Sequence, residues 1–145
     1  MNRKNLKGEV ALKAIENGNE IALDFDKLKK VVQGPEAVMP VIVQDTATKE
    51  VLLLAYANEK ALRYTLETGL ATFWSTSRHE LWVKGKTSGD ELKVVEVRVN
   101  CDQNSLLYVV KMVGKGSCHV KDASGKTRFG CYYRRIKGDK LEFIA

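Results

Sequence analysis

Three thiols and one imidazole cluster in the last third of the chain. Cys101 closes the run VRVNC, Cys118 and His119 sit side by side in GKGSCHV, and Cys131 lies in FGCYYRR. The separations, 17 and 13 residues, are not those of the CxxC knuckle of a structural zinc finger. They suit ligands carried on separate strands or loops. Three thiolates occupy three corners of a tetrahedral zinc site and leave the fourth for water, which is the arrangement of catalytic zinc. Zinc so placed lowers the pKa of its water to about 7. Cysteine is also among the most buried residue types, so the same three residues read as core thiols. Spacing alone leaves both readings open. An odd number of cysteines excludes a fully paired disulfide framework within one chain. His119 follows Cys118 directly, and adjacent strand residues face opposite sides; a proton shuttle working from a loop fits it better than a fourth ligand.

A second group of chemically capable residues lies in WSTSRHELWVKGKTSGD. Arg78 offers a fork and Lys84 a point charge for phosphate. Ser88 and Gly89 let backbone N–H groups come close to an anion. Trp74 and Trp82 can stack on a base, although large aromatics in strands also fill cores. Arg134 is a third phosphate candidate, or else part of a solvated strand end with Arg135. His79 reads as a surface residue.

These groups must be positioned by short elements. Residues 1–35 read as a helical or irregular extension, with VALKAIENG stopping at Gly18 and DFDKLKKVV opening at Asp24. From residue 36 to 145 one globular unit is expected. VMPVIVQD and VLLLAYA form a hairpin, and EKALRYTLET a helix with Asn58 as N-cap and Gly69 as stop. Its buried face is expected at Ala61, Leu62, Thr65 and Leu66. ATFWSTS, HELWVKG, LKVVEVRVN and LLYVVKMVG follow as strands, with Val95, Val97 and Val99 expected on one buried face. RFGCYYRRI and KLEFIA supply one or two more, after a hairpin extension with Ser124-Gly125 at its tip. The fold class is α+β, strand-dominated, in a single domain.

Net charge is +6 with a pI near 9.2, which favours an anionic partner. The basic residues are scattered, so a small phosphorylated ligand fits at least as well as a nucleic acid. No apolar run approaches the roughly 20 residues that span a bilayer, and the N-terminus lacks the apolar core of a secretory signal. A cytoplasmic protein, with neither membrane nor nucleic acid as partner, is expected.

In this order, VIVQDTATKEVLLLAYANEKAL, WSTSRHELWVKGKTSGD, NCDQNSLL with GSCH, and CYYR resemble the successive blocks of the phosphoribosyl-AMP cyclohydrolase family. The likeness runs from about Pro40 to Arg134. It implies a zinc-dependent hydrolase of histidine biosynthesis that adds water at C6 of phosphoribosyl-AMP and opens the adenine ring at N1–C6. It further implies an intertwined homodimer with its active site at the interface and one zinc per subunit. Cys101, Cys118 and Cys131 are then the zinc ligands, drawn from both subunits, and His119 the general acid/base. Trp74, Ser75, Arg78, Trp82, Lys84, Ser88, Gly89 and Arg134 become substrate-binding residues for a small phosphorylated nucleotide. The family's Asp-x-Asp-x-Asp magnesium motif stands here as Asn100, Asp102 and Asn104, which implies magnesium binding in weakened form, because two carboxylates have become amides. Some members of the family carry a second domain after the closing arginine; eleven residues follow Arg134 here, which implies one catalytic step. Two competing readings are a non-catalytic zinc-stabilised binding module and a family member that has lost activity. The first would need clustered cations with interleaved exposed aromatics, which are not evident; against the second, all three cysteines and His119 are present.

Overall fold

β-branched and apolar runs between residues 39 and 112 build one mixed sheet. The computed structural model describes residues 15–144. In chain order its elements are α1 (Lys27–Gln33), β1 (Met39–Asp45), β2 (Val51–Ala57), α2 (Glu59–Thr68), β3 (Thr72–Ser75), β4 (Glu80–Val83), β5 (Leu92–Val99), β6 (Leu106–Met112), β7 (Arg134–Lys137) and β8 (Lys140–Phe143). The fold is a strand-dominated α+β domain.

β1 and β2 form the expected antiparallel hairpin. Asp45 shapes its turn, where its Oδ2 accepts from the Thr48 N–H at 2.8 Å and the Thr48 hydroxyl at 2.9 Å. β5 and β6 form another hairpin, and β6 lies parallel to β1, so the sheet runs β2-β1-β6-β5. A parallel pair needs a long crossover, and this one carries α2 and the β3–β4 hairpin. Two further antiparallel pairs, β3–β4 and β7–β8, stand outside the main sheet.

α2 starts and stops where its end residues dictate. Asn58 Oδ1 accepts from the Ala61 N–H at 2.8 Å, and Gly69 adopts φ 74° while its N–H reaches the Thr65 carbonyl. Such a cap contributes about 1 kcal/mol. The helix lays Ala61 and Thr65 on the core formed by Val41, Val43, Leu53, Phe73, Leu92, Leu106, Tyr108 and Val110. Phe73 sits 5.4 Å from the Trp82 ring and 5.8 Å from Tyr108, tying the β3–β4 hairpin to the sheet.

Several local expectations need correction. Leu66 is exposed, because Ala61 and Thr65 already define the packed stripe and Leu66 lies one residue around from it. Val95 is 62% exposed, because a bulge between Val94 and Glu96 shifts the register and breaks the alternation. Val99 is exposed as well, at the outer end of β5. Asp26, not Asp24, takes the cap position of α1, and Asp24 Oδ1 accepts the Asp26 N–H instead. RFGCYYRRI is extended in a sheet only from Arg134. Of VALKAIENG, residues 15–17 are helical and Val10, Leu12 and Ala14 lie outside the described residues. Among the described residues no helix is long and apolar enough to cross a membrane.

Candidate active site

Beyond β6 the chain folds back on itself without forming a regular strand until Arg134. The return is pinned from both sides. Ser117 N–H donates to the Phe129 carbonyl at 3.0 Å, Cys118 N–H to the Arg128 carbonyl at 3.2 Å, and Arg128 N–H to the Val120 carbonyl at 3.2 Å. Ser117, fully buried, adds its hydroxyl to the Phe129 carbonyl at 2.6 Å. Gly116 permits this approach, since a Cβ there would lie 2.4 Å from the Arg128 carbonyl oxygen. At the tip, Asp122 Oδ1 gathers the Ser124 and Lys126 N–H groups, so the sequence-predicted extension is a capped turn. Cys131 N–H then donates to the Leu52 carbonyl at 2.7 Å, fixing the third cysteine to the start of β2.

Folding back brings Cys118 and Cys131 together, with their sulfurs 3.7 Å apart. The pair shares a proton unequally. The hydrogen bond from Cys131 lowers the Cys118 pKa to about 6, helped by the Val120 N–H and by the charges of His119 and Lys84. Donating that bond raises Cys131 above the ordinary thiol range. Two sulfurs held by one zinc at about 2.3 Å and a tetrahedral angle lie about 3.8 Å apart. The pair therefore fits two corners of a zinc site without rearrangement.

Cys101 is not beside them. It is exposed, in the turn between β5 and β6. The register places Val99 opposite Leu106 at that end of β6 and Leu92 opposite Met112 at the other. Cys131 is bonded to Leu52, beside the β1 end that pairs with Val110 of β6. A seven-residue strand spans about 20 Å between its ends, so Cys101 and the thiol pair lie at opposite ends of the sheet. Among the described residues no three Cys, His, Asp or Glu side chains of one chain converge to hold a metal.

A cleft of about 380 Å³ opens beside the pair, lined by Cys118, His119, Arg78, Trp82, Lys84 and Ser88, with Lys86 and Lys121 adding charge. Four of the eight sequence-predicted binding residues, Arg78, Trp82, Lys84 and Ser88, thus meet the imidazole and a thiol. Lys84 lines the cleft as expected and is also set close to the two thiols. It is 5% exposed, burial lowers its pKa, and Asp90 and the two thiols act against that shift, so it is placed as a counter-charge to the sulfurs. Ser75 Oγ takes the Arg78 N–H at 3.2 Å and shapes the β3–β4 turn that presents Arg78. Gly89 has φ 84°, but its N–H is already engaged by the Gly85 carbonyl at 2.8 Å. Trp74 and His79 line another cavity, with Lys30 and Glu36.

Two further predicted groups are not brought to this cleft. Arg134 turns away and donates to the Gly18 carbonyl at 2.9 Å and the Ile15 carbonyl at 2.6 Å. Asn100, Asp102 and Asn104 sit in the turn with Cys101, where Asn100 Oδ1 accepts the Asn104 and Ser105 N–H groups, both at 2.9 Å. Asn100 Nδ2 donates to Asn104 Oδ1 at 2.6 Å. Sequence reasoning missed Lys86 and Lys121; Lys86, two residues past Lys84 in KGK, was there to be found. It missed Gly85 as well, where a Cβ would lie 2.1 Å from Asp90 backbone.

An α+β domain that gathers an acidified thiol, an exposed imidazole and four cations around one cleft, with Glu80 and Asp90 among them, has the make-up of an enzyme. The sequence profile of phosphoribosyl-AMP cyclohydrolase matches residues 53–133. The phosphoribosyl-AMP cyclohydrolase of Archaeoglobus fulgidus is 49% identical over 106 residues, covering 73% of this chain and 92% of that protein. That of Desulfatibacillum aliphaticivorans is 43% identical over 124 residues, 86% of this chain and 89% of its own. The histidine biosynthesis bifunctional protein HisIE of Aquifex aeolicus is 47% identical over 107 residues, 74% of this chain and 49% of its own. The chain belongs to the phosphoribosyl-AMP cyclohydrolase family.

Proposed function

We propose that this chain hydrolyses the N1–C6 bond of the adenine ring in 1-(5-phosphoribosyl)-AMP, giving the open formimino-carboxamide ribonucleotide of histidine biosynthesis. It works as a zinc-bearing homodimer in the cytoplasm. The observation that carries this reading is the 3.7 Å separation of Cys118 and Cys131 beside the His119 cleft. Cys118 and Cys131 would hold zinc, which would supply Lewis acidity toward water. The third ligand is Cys101 of a second copy, since within one chain it lies at the far end of β6.

The chain's own residues do the rest. An N1-ribosylated adenine carries positive charge, and its C6 is electrophilic. His119 moves a proton to N1 as the ring bond breaks. Arg78, with Lys86 and Lys121, binds phosphate at the mouth of the cleft, while buried Lys84 balances the thiolate charge. Trp82 walls one side with its ring anchored on Phe73. Magnesium binds weakly, because Asp102 is the one carboxylate of its motif and both amides are engaged within the turn. Tight magnesium binding by the substrate-free enzyme would refute that statement.

The test is ring opening followed by absorbance with the purified full-length protein. One zinc per chain is expected, and a zinc chelator should lower turnover at least about a hundredfold, with recovery on re-addition of zinc. Unchanged turnover in the metal-free protein overturns the proposal.

A further inference from the structure

His119 has a fixed backbone and a loose side chain. Its neighbours Cys118 and Val120 are buried, yet the imidazole itself is 78% exposed. A group that must pass a proton to one atom works only when its ring is held in the productive geometry. Among the described residues the ring has one ion-pair partner, the Glu16 carboxylate, whose Oε2 lies 3.4 Å from His119 Nε2. Glu16 is the better buried of the two, with a side chain 27% exposed.

Glu16 belongs to the segment before the family-matched stretch, which begins at residue 53. This segment is fastened with unusual completeness. Every residue from 15 to 20 makes a polar contact with the stretch 128–141. The Arg134 fork takes the Ile15 and Gly18 carbonyls at 2.6 and 2.9 Å, which are the orphan acceptors where a helical turn ends. The Tyr133 hydroxyl donates to the Glu16 carbonyl. Arg128 reaches Asn17 Oδ1 at 3.4 Å, the Leu141 N–H reaches the Asn19 carbonyl at 2.8 Å, and Lys140 pairs with Glu20. The Arg128 guanidinium also lies 4.1 Å from the centre of the Tyr133 ring. Six consecutive contacts leave the segment little freedom to slide, and they set the Glu16 carboxylate against the imidazole.

We infer that Glu16 is a positioning residue for His119, supplied by the N-terminal segment and held in place by Arg134 and Tyr133. The carboxylate, 3.4 Å from Nε2, holds the ring in one orientation with Nδ1 on the side away from Glu16. Arg134 thus serves the site through the segment it anchors, without touching phosphate. The inference rests on the proton-transfer role given to His119 above.

A double-mutant cycle in the full-length zinc enzyme tests both without confusing them. Glu16→Ala should lower kcat about tenfold, the usual scale for loss of a partner that orients a working histidine, while KM, zinc content and Tm stay near wild type. Glu16→Asp should lose less, by keeping a carboxylate in reach. In a His119→Ala background, Glu16→Ala should have no further effect, because it acts through that ring. If Glu16→Ala lowers kcat equally in both backgrounds, or leaves it unchanged while His119→Ala is inactive, Glu16 does not position the imidazole. If His119→Ala itself keeps wild-type kcat, the proton-transfer reading fails and this inference goes with it.

Discussion

His119→Ala should keep its fold and its zinc and lose turnover by about 10²- to 10⁴-fold, the range for removing a general acid or base. Little stability is at stake, because the imidazole is 78% exposed and the backbone on either side is fastened through Cys118 and Val120 to Arg128. Zinc retention follows from the same geometry, since neither sulfur depends on the ring for its position. The loss should fall on kcat with KM nearly unchanged, as expected when an interaction made only in the transition state is removed. Breaking N1–C6 creates a basic ring nitrogen, and a proton must arrive as the bond goes. An imidazole placed at the cleft can donate that proton and take one back each cycle. The other histidine provides the control. His79 stands at the β3–β4 turn with its N–H on the Ser75 carbonyl at 2.8 Å, and it lines a different cavity. His79→Ala should therefore retain wild-type kcat. Ring-opening rates and metal content measured side by side on both variants settle the assignment, and equal rates for the two would show that the proton comes from elsewhere.

What the sequence made legible was mostly local. The β1–β2 hairpin follows from two strand-forming runs around a turn, and α2 from Asn58 and Gly69, each of which acts within four residues. The bulge at Val95 was hidden for the opposite reason. Its own segment alternates correctly, and the break comes from how β5 registers on β6. The meeting of Cys118 and Cys131 was equally invisible to spacing, because it depends on Gly116 fitting under Arg128 and on Cys131 bonding to Leu52, which lies 79 residues earlier. The placement of Cys101, by contrast, could have been read. A cysteine in the turn before LLYVVKM and another beyond its far end are separated by that strand's length, unless a second chain intervenes. Arg134 misled because an arginine two residues past Tyr132 looks like a phosphate ligand, and nothing nearby announces that Ile15 and Gly18 will claim it. Glu16 left no signal at all, since its partner is 103 residues away.

Mixing two inactive variants should restore activity. Cys101→Ser and Cys118→Ser should each abolish turnover when pure, because each removes one ligand from every proposed zinc site. Suppose each site takes Cys101 from one copy and the Cys118–Cys131 pair from the other. In a mixed dimer, one site then receives both substitutions and its twin receives neither. With random pairing half the dimers are mixed and half of their sites are intact, so co-refolded protein should recover about a quarter of wild-type activity and zinc. A site built from one chain behaves differently, since every chain in the mixture carries a defect and recovery is nil. The proposal expects the first outcome, on the separation of the cysteines within one chain. The sulfur pair is already set for one ion at 3.7 Å, while about 20 Å of β6 separates Cys101 from it along the strand, with Tyr108 and Val110 buried in the core between. Bringing Cys101 across within one chain would require pulling apart the β5–β6 hairpin that holds that core. A second copy requires no such rearrangement, only two exposed ends that meet. Zero recovery from a mixture shown by mass spectrometry to contain mixed dimers would place all three ligands in one chain and demand a different fold for residues 92–112.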